Sequence, residues 1–239
     1  MSTCFIADLH LSEKHPETTQ RFLYFLKQEA SKHQTLYILG DLFEVWLGDD
    51  LSSKEAYPVL QALHDTVQQG TRIYVQHGNR DFLLGTAFEK QSGCKLIPDP
   101  YRIELNNTPI LLTHGDQLCS DDESYQRYRS VIQHPITRWS LLHLPHFFRR
   151  KIGQQLRQQS DQGKLEKSSY TMDVTAHTVE SWMRNHRVNQ LIHGHTHHPA
   201  IHTLSVDGEP AQRMVLGDWD SEKNSMLIYD SGEFTLQSA

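Results

Sequence analysis

The chain has 239 residues, with 23 lysines and arginines against 29 aspartates and glutamates, and a formal charge of −6. That balance, with an isoelectric point near 6.2, argues against a basic nucleic-acid binder, and no apolar run of about 18 residues is present to span a bilayer. The length suits one α/β domain with an insertion better than two domains, and 16 histidines direct attention to metal chemistry.

Taken in chain order, the N-terminus runs directly into Cys4-Phe5-Ile6-Ala7 without a charged leader, so no signal peptide is expected. Cys4, Cys94 and Cys119 are odd in number, widely spaced and form no CxxC, which argues against a disulfide framework or thiolate zinc site and fits a reducing compartment. Thr3–Ala7 reads as a short apolar strand ending in Asp8-Leu9-His10. In an extended segment Asp8 and His10 share a face, and open α/β sheets place their chemistry beyond the carboxyl ends of strands. Phe22, Leu23, Phe25, Leu26 and Ala30 give a helical period over Thr19–Lys32. Tyr37-Ile38-Leu39 is a second strand, followed at once by Gly40-Asp41. An amphipathic helix over Ala56–Val67 precedes a third strand, Arg72–Gln76, which runs into His77-Gly78-Asn79-Arg80-Asp81. A fourth, Ile110–Thr113, ends in His114-Gly115-Asp116. Leu191-Ile192 closes a further strand before His193-Gly194-His195-Thr196-His197. There Gly194 permits a tight turn, and alternation sets His195 and His197 on one side.

A lone carboxylate after a strand and a glycine is ordinarily a turn or cap residue. Five strand ends that read as consecutive, each delivering Asp, Asn or His, are not explained that way. Oxygen and imidazole donors without thiolates suit manganese, magnesium or iron, with zinc as an alternative. Asp8, His10, Asp41, Asn79, His114, His195 and His197 are too many for one ion and about right for two. Two cations roughly 3.5–4 Å apart need an anion between them, and Asp41 is the natural candidate.

These blocks, in this order from Asp8 to His197, resemble the calcineurin-like metallophosphoesterase superfamily. The resemblance implies an α/β fold: a β-sandwich flanked by helices, one domain over 1–239 with a helical lid insertion at about 122–167. Ile201–Val206, Arg213–Leu216, Met226–Tyr229 and Phe234–Leu236 would complete the second sheet. It also implies that Asp8, His10, Asp41 and His197 hold one metal, and Asp41, Asn79, His114 and His195 the other. Many members carry Gly-Asn-His where this chain has Gly78-Asn79-Arg80. An arginine releases no proton near neutral pH, so the site suits a leaving group that needs none, such as a phosphate. Arg80 would neutralise charge and fork onto phosphate oxygens; the alternative is a simple pair with Asp81.

With Arg80, the segments Gly40–Asp50 and His77–Gly85 closely resemble the UDP-2,3-diacylglucosamine pyrophosphatases of lipid A biosynthesis in Gram-negative bacteria. The similarity continues through His114-Gly115-Asp116, Asp121-Asp122, Tyr125 and Gly194–His197. That family implies two Mn2+ per chain, and substrate contacts from Asn79, Arg80, Asp122, Ser160, Lys164, Lys167 and His195. Lys164 is the weakest of these, at a position that varies in the family. Asp41, Arg80 and His195 would carry the chemistry: attack of metal-activated water on the α-phosphorus, giving UMP and 2,3-diacylglucosamine 1-phosphate. The expected protein is a monomer, peripheral on the cytoplasmic face of the inner membrane, with no nucleic-acid partner.

More chain lies between His114 and His193 than a crossover needs. Tyr125–Val131 and Ser168–Arg187 read as helices framing a piece from about His134 to Leu165, which Pro135 and Pro145 break into short helices. It is rich in apolar residues (Ile136, Trp139, Leu141, Leu142, Leu144, Phe147, Phe148, Ile152) and in basic ones (Arg138, Arg149, Arg150, Lys151, Arg157). One reading is an ordinary cap that buries its apolar side on the core. The other is a lid that receives acyl chains, at roughly 0.8 kcal/mol per buried methylene, and rests its basic side on an anionic leaflet. The two are compatible, and a lid that docks on the core and holds lipid between them is expected. Two rival functions remain: a general phosphodiesterase or nucleotide pyrophosphatase on soluble substrates, which needs no apolar lid, and a non-catalytic scaffold, which would not need all seven donors.

Overall fold

The structure is a computed structural model that describes residues 2–153, 173–220 and 224–238. Period-two alternation builds its centre. In β1 (Thr3–Ile6) and β2 (Thr35–Leu39), Phe5, Tyr37 and Leu39 point one way and Cys4, Ile6, Leu36 and Ile38 the other. The first set meets Ile110 and Leu112 of β6 (Thr108–Thr113) and Ile192 of β7 (Gln190–His193), forming the interior between two sheets. The second set packs under α1 (Pro16–Gln28), α3 (Tyr57–Gln68) and α4 (Thr86–Ser92) through Phe22, Phe25, Leu26, Leu60, Leu63 and Phe88. On the far side, Leu111 and Leu191 meet Val179 and Met183 of α8 (Ala176–His186). Strands covered on both faces read as continuous apolar runs rather than alternating ones, which is why these segments stand out in the sequence.

The first sheet has the order β11-β10-β1-β2-β3-β4, with β3 Arg72–Gln76, β4 Lys95–Ile97, β10 Ser225–Asp230 and β11 Glu233–Ser238. The second is β5-β6-β7-β9-β8, with β5 Tyr101–Leu105, β8 Ala200–Val206 and β9 Glu209–Val215. β1, β2 and β3 are parallel neighbours, as are β6 and β7, so their carboxyl ends can gather at one edge of the sandwich. The pairing of β1 with β2 continues past both strands: His10 N donates to Asp41 O at 2.9 Å and Leu11 N to Leu42 O at 3.0 Å.

Three sequence expectations need correction. Met226–Tyr229 and Phe234–Leu236 do not complete the second sheet: β10 pairs antiparallel with β1 of the first sheet, and β11 extends it. The five strand ends are not consecutive, since β4 and β5 lie between β3 and β6. These strands are short or partly exposed and carry little apolar signal. The helix expected over Ser168–Arg187 is seen as Ala176–His186, with 168–172 outside the described residues.

The stretch between β6 and β7 carries α5 (Glu123–Ile132), α6 (Pro135–His143) and α7, helical from 146 to 153. Pro135 opens α6, where a missing N–H costs nothing. Ile132 and Leu141 pack against the core. Ile136, Trp139, Phe147 and Phe148 are instead exposed, by 69%, 62%, 72% and 54%. The apolar side of this piece is therefore only partly spent on the core. Two of its basic residues are not free either. Arg149 is buried and gives hydrogen bonds to Leu47 O at 2.7 Å and Leu144 O at 3.1 Å, together with a two-point pair to Asp50. Arg150 pairs with Glu55 at 3.3 Å. Arg149 thus latches α7 to the core, which corrects its expected place against a leaflet. No described helix is long and apolar enough to cross a membrane. All three cysteines are buried and none is in a disulfide.

Candidate metal centre

The ends of β1, β2 and β3 bring Asp8, His10, Asp41 and Asn79 to one edge of the sandwich, and β6 and β7 bring His114, His195 and His197 from the other sheet. Asp41 Oδ2 lies 4.0 Å from His10 Nε2 and 3.8 Å from His114 Nε2. His197 Nε2 is 3.6 Å from Asp8 Oδ1, His114 Nε2 is 3.0 Å from Asn79 Oδ1, and the His114 and His195 rings are 5.1 Å apart. The donors of Asp8, His10 and His197, and those of Asp8, Asp41 and His114, each lie within 4.8 Å of one another.

These pairs do not meet by strand alternation. Asp8, His10, Asp41, His195 and His197 have φ of 56°, 50°, 51°, 70° and 58°, in the left-handed region that side chains ordinarily avoid. Strain of about 1–3 kcal/mol per residue is characteristic of functional sites, and it is held here by close backbone contact. At Gly78 any Cβ would collide with the Asp41 carboxylate and backbone N, and at Gly194 with Asp8 and Ala7. Asp81, wholly buried, ties the loops: its oxygens accept from Gly78 N at 2.8 Å, Leu42 N at 2.8 Å and Phe43 N at 3.3 Å. Burial, then the neighbouring Asp41 charge, push its carboxyl up to about 7.

The electrostatics ask for positive charge. Burial draws the His114 imidazolium down, but Asp41, Asp8 and Asp116 outweigh it and raise the group to about 9. His197 is likewise lifted to about 10, against burial, by the facing carboxylates of Asp218 and Asp8. Burial tends to raise Asp8, yet the three histidines around it hold the carboxyl well below the usual range. His195, buried and beside His114, is lowered to about 3 and stays neutral, a ring with a free lone pair. Ring orientation is also fixed: His114 Nδ1–H donates to Leu39 O at 2.9 Å, turning Nε2 to the centre, and Asp218 lies 3.5 Å from His197 Nδ1. Asp8 Oδ1 and His10 Nε2, the His10 nitrogen on the Asp41 side, are buried without a hydrogen-bond partner. Orphaned acceptors converging in this way fit divalent cations with oxygen and imidazole ligands.

Arg80 does not pair with Asp81. Its Nη1 donates to Glu44 Oε1 at 3.0 Å, while Glu44 Oε2 sits 3.2 Å from His10 Nδ1. Its backbone N donates to Asp41 Oδ1 at 2.8 Å. Asp122 caps α5 by accepting from Tyr125 N at 3.1 Å. The Tyr125 hydroxyl donates to buried Asp116 at 2.9 Å, with its ring 6.0 Å from His195. Ser160, Lys164 and Lys167 lie outside the described residues. Beside the centre opens a cleft of about 500 Å³, bordered by His10, Arg80 and His197. Sequence reasoning missed Glu44 and Asp218. Asp218 carries the signal that found the others, an acid two residues past a strand reading as Arg213–Leu216, and Glu44 stands in the same run as Asp41.

Residues 1–199 match the model of the calcineurin-like phosphoesterases. The chain is 49% identical over 232 residues to the UDP-2,3-diacylglucosamine hydrolase of Pseudomonas paraeruginosa, covering 97% of each chain. It is 47% identical to the enzyme of that name from Tolumonas auensis, covering 96% of this chain and 94% of that one. An archaeal phosphodiesterase superposes over the whole of both chains with a TM-score of 0.50 at 13% identity, a likeness of fold alone. The chain therefore belongs to the calcineurin-like phosphoesterases, within the family of the UDP-2,3-diacylglucosamine hydrolases.

Proposed function

We propose that this chain hydrolyses the pyrophosphate bond of UDP-2,3-diacylglucosamine by water attack at the α-phosphorus. The products are UMP and 2,3-diacylglucosamine 1-phosphate, in lipid A biosynthesis. Asp8, His10, Asp41, Asn79, His114, His195 and His197 would hold two manganese ions. The observation that carries this reading is the gathering of Asp8, His10, Asp41, His114 and His197 at one edge of the sandwich, with Asn79 and His195 against His114, in a chain matching proteins named for that activity along 97% of its length. Divalent cations so bound lower the pKa of water and neutralise phosphate charge.

The chain's own groups do the rest. Asp41, in reach of both His10 and His114, is oriented by the Arg80 backbone. Glu44 holds one end of the Arg80 guanidinium beside His10, leaving further donors for phosphate oxygens. The phosphate leaving group needs no proton from that position. Asn79, Asp122 and His195 contact the substrate, with Ser160, Lys164 and Lys167. The exposed Ile136, Trp139, Phe147 and Phe148 support a lid that takes acyl chains, and they disfavour a purely soluble substrate. The protein acts as a monomer, peripheral on the cytoplasmic face of the inner membrane.

Incubation with manganese and UDP-2,3-diacylglucosamine in oxygen-18 water tests this by mass spectrometry. Labelled UMP is expected. Label in the lipid phosphate instead would overturn the site of attack. No UMP, with good hydrolysis of an aryl phosphodiester, would overturn the substrate, and no hydrolysis of either would favour a scaffold.

A further inference from the structure

We infer that the cleft beside His10 and His197 seats the nucleoside of a nucleoside 5′-phosphate, the half of the substrate that carries no lipid. This rests on the function proposed above and assigns a place to the part of the substrate that its contact residues leave unplaced. The substrate joins a long apolar half to a compact polar half at the bond to be broken, so the halves must leave the metal centre in different directions. The helices between β6 and β7 offer the apolar direction: they expose Ile136, Trp139, Phe147 and Phe148, and α5 brings Tyr125 against His195. The cleft offers another. Its walls come from the β1–α1 loop, the start of α1, Glu44, Arg80, His197 and residues 218–220, and none is a residue of α5, α6 or α7.

Size and chemistry agree. A space of about 500 Å³ falls among ordinary small-ligand sites, which run from roughly 300 to 1,000 Å³. Leu9 and Trp219 give the wall an apolar part. A pyrimidine nucleoside presents carbonyl and hydroxyl oxygens that want donors, and an N–H and hydroxyls that want acceptors. The cleft supplies both. Lys14 lines it with no hydrogen-bond or ion-pair partner among the described residues, and the Ser12 Oγ is buried against it without a partner. Glu17 supplies a carboxylate whose near neighbour is the exposed His15, at 3.5 Å. The cleft also reaches His10, Arg80 and His197, so a phosphate at the metal centre and a nucleoside in the cleft form one continuous ligand.

The test is product inhibition of UDP-2,3-diacylglucosamine hydrolysis by UMP and, separately, by inorganic phosphate, in the wild type, in Lys14→Ala and in Ser12→Phe. Lys14 is exposed, so its removal leaves folding intact; Ser12→Phe fills the cleft. In Lys14→Ala the UMP inhibition constant is expected to rise about tenfold, the loss of one hydrogen bond to a charged group, and in Ser12→Phe by at least about as much through loss of space, while that of phosphate moves much less in both. A wild type that releases UMP, with both variants as sensitive to UMP as before, would overturn the nucleoside cleft and leave the function standing. A wild type that releases no UMP would overturn the function and the cleft together. Equal weakening of UMP and phosphate would also overturn the cleft, because it would place the effect at the metals.

Discussion

Gly78→Ala is the sharpest probe of how this centre is held. Gly78 has an ordinary backbone conformation, so added strain in φ is not the issue; the issue is space. The new Cβ would sit inside contact distance of the Asp41 carboxylate and the Asp41 backbone N, and real Cβ atoms essentially never approach below 3.0 Å. The Asp41 and Asn79 loops must therefore part by about an ångström, and a misplacement of that size costs on the order of 100-fold in rate, or about 2.7 kcal/mol of barrier. Overpacking adds about 1–3 kcal/mol of lost stability. The assay is kcat/KM at saturating manganese, with metal titration and thermal unfolding alongside. Gly85→Ala is the control: its Cβ meets Asp49 Oδ2 at 2.9 Å, where Asp49 caps α4 through Ala87 N and Phe88 N. It is expected to lose about 1 kcal/mol of stability while kcat/KM stays near wild type. Wild-type turnover and metal affinity in Gly78→Ala would refute the claim that close loop approach sets the position of Asp41.

Asp41→Ala removes the carboxylate lying between His10 and His114; metal content measured by mass spectrometry should fall, with turnover down by at least about a thousandfold. Arg80→Ala should keep its metals and raise KM with a fall in kcat/KM of about 10- to 100-fold, and Arg80→Lys should recover little, because an ammonium lacks the guanidinium fork. Asp50→Ala unlatches α7, leaving the buried Arg149 with only carbonyl partners; hydrogen exchange should speed up over 146–153. The Asp50 carboxyl is held down at about 2 by its hydrogen bonds from Arg149. The pair's contribution is therefore complete above the unfolded value near 3.8 and fades as pH falls through 2. Asp50 is half exposed, which limits this contribution to about 1 kcal/mol, and exchange over 146–153 in the wild type should show no pair-dependent change between pH 5 and 8.

Much of the centre was readable because each donor follows an apolar run: Asp8 follows β1, Asp41 β2, Asn79 β3, His114 β6 and His195 β7. Local hydrophobicity marks where such a strand ends, and a polar residue there is conspicuous. Sheet membership is a different matter. Met226–Tyr229 shows a strand, but nothing local tells it to pair with Thr3–Phe5 rather than with its neighbours β8 and β9. Arg149 reads as surface charge because its partner Asp50 stands 99 residues earlier. The left-handed backbone at Asp8 and His197 is likewise invisible, since nothing in an aspartate or histidine announces it; it follows from loop contacts such as Trp219 N to Asp8 O at 3.1 Å.

The hydrogen bond from His195 N to Asp8 Oδ2, at 2.7 Å, spans 187 residues of chain. Order of synthesis therefore governs order of assembly. A nascent chain emerging from the ribosome presents Asp8, His10, Asp41 and Asn79 long before His195 and His197, and β1 waits longer still for β10, its antiparallel neighbour. Until then only fragments of the ligand set exist, held by a sheet that lacks two of its six strands. Tight metal capture thus belongs to the finished protein, in which folding has already fixed the geometry.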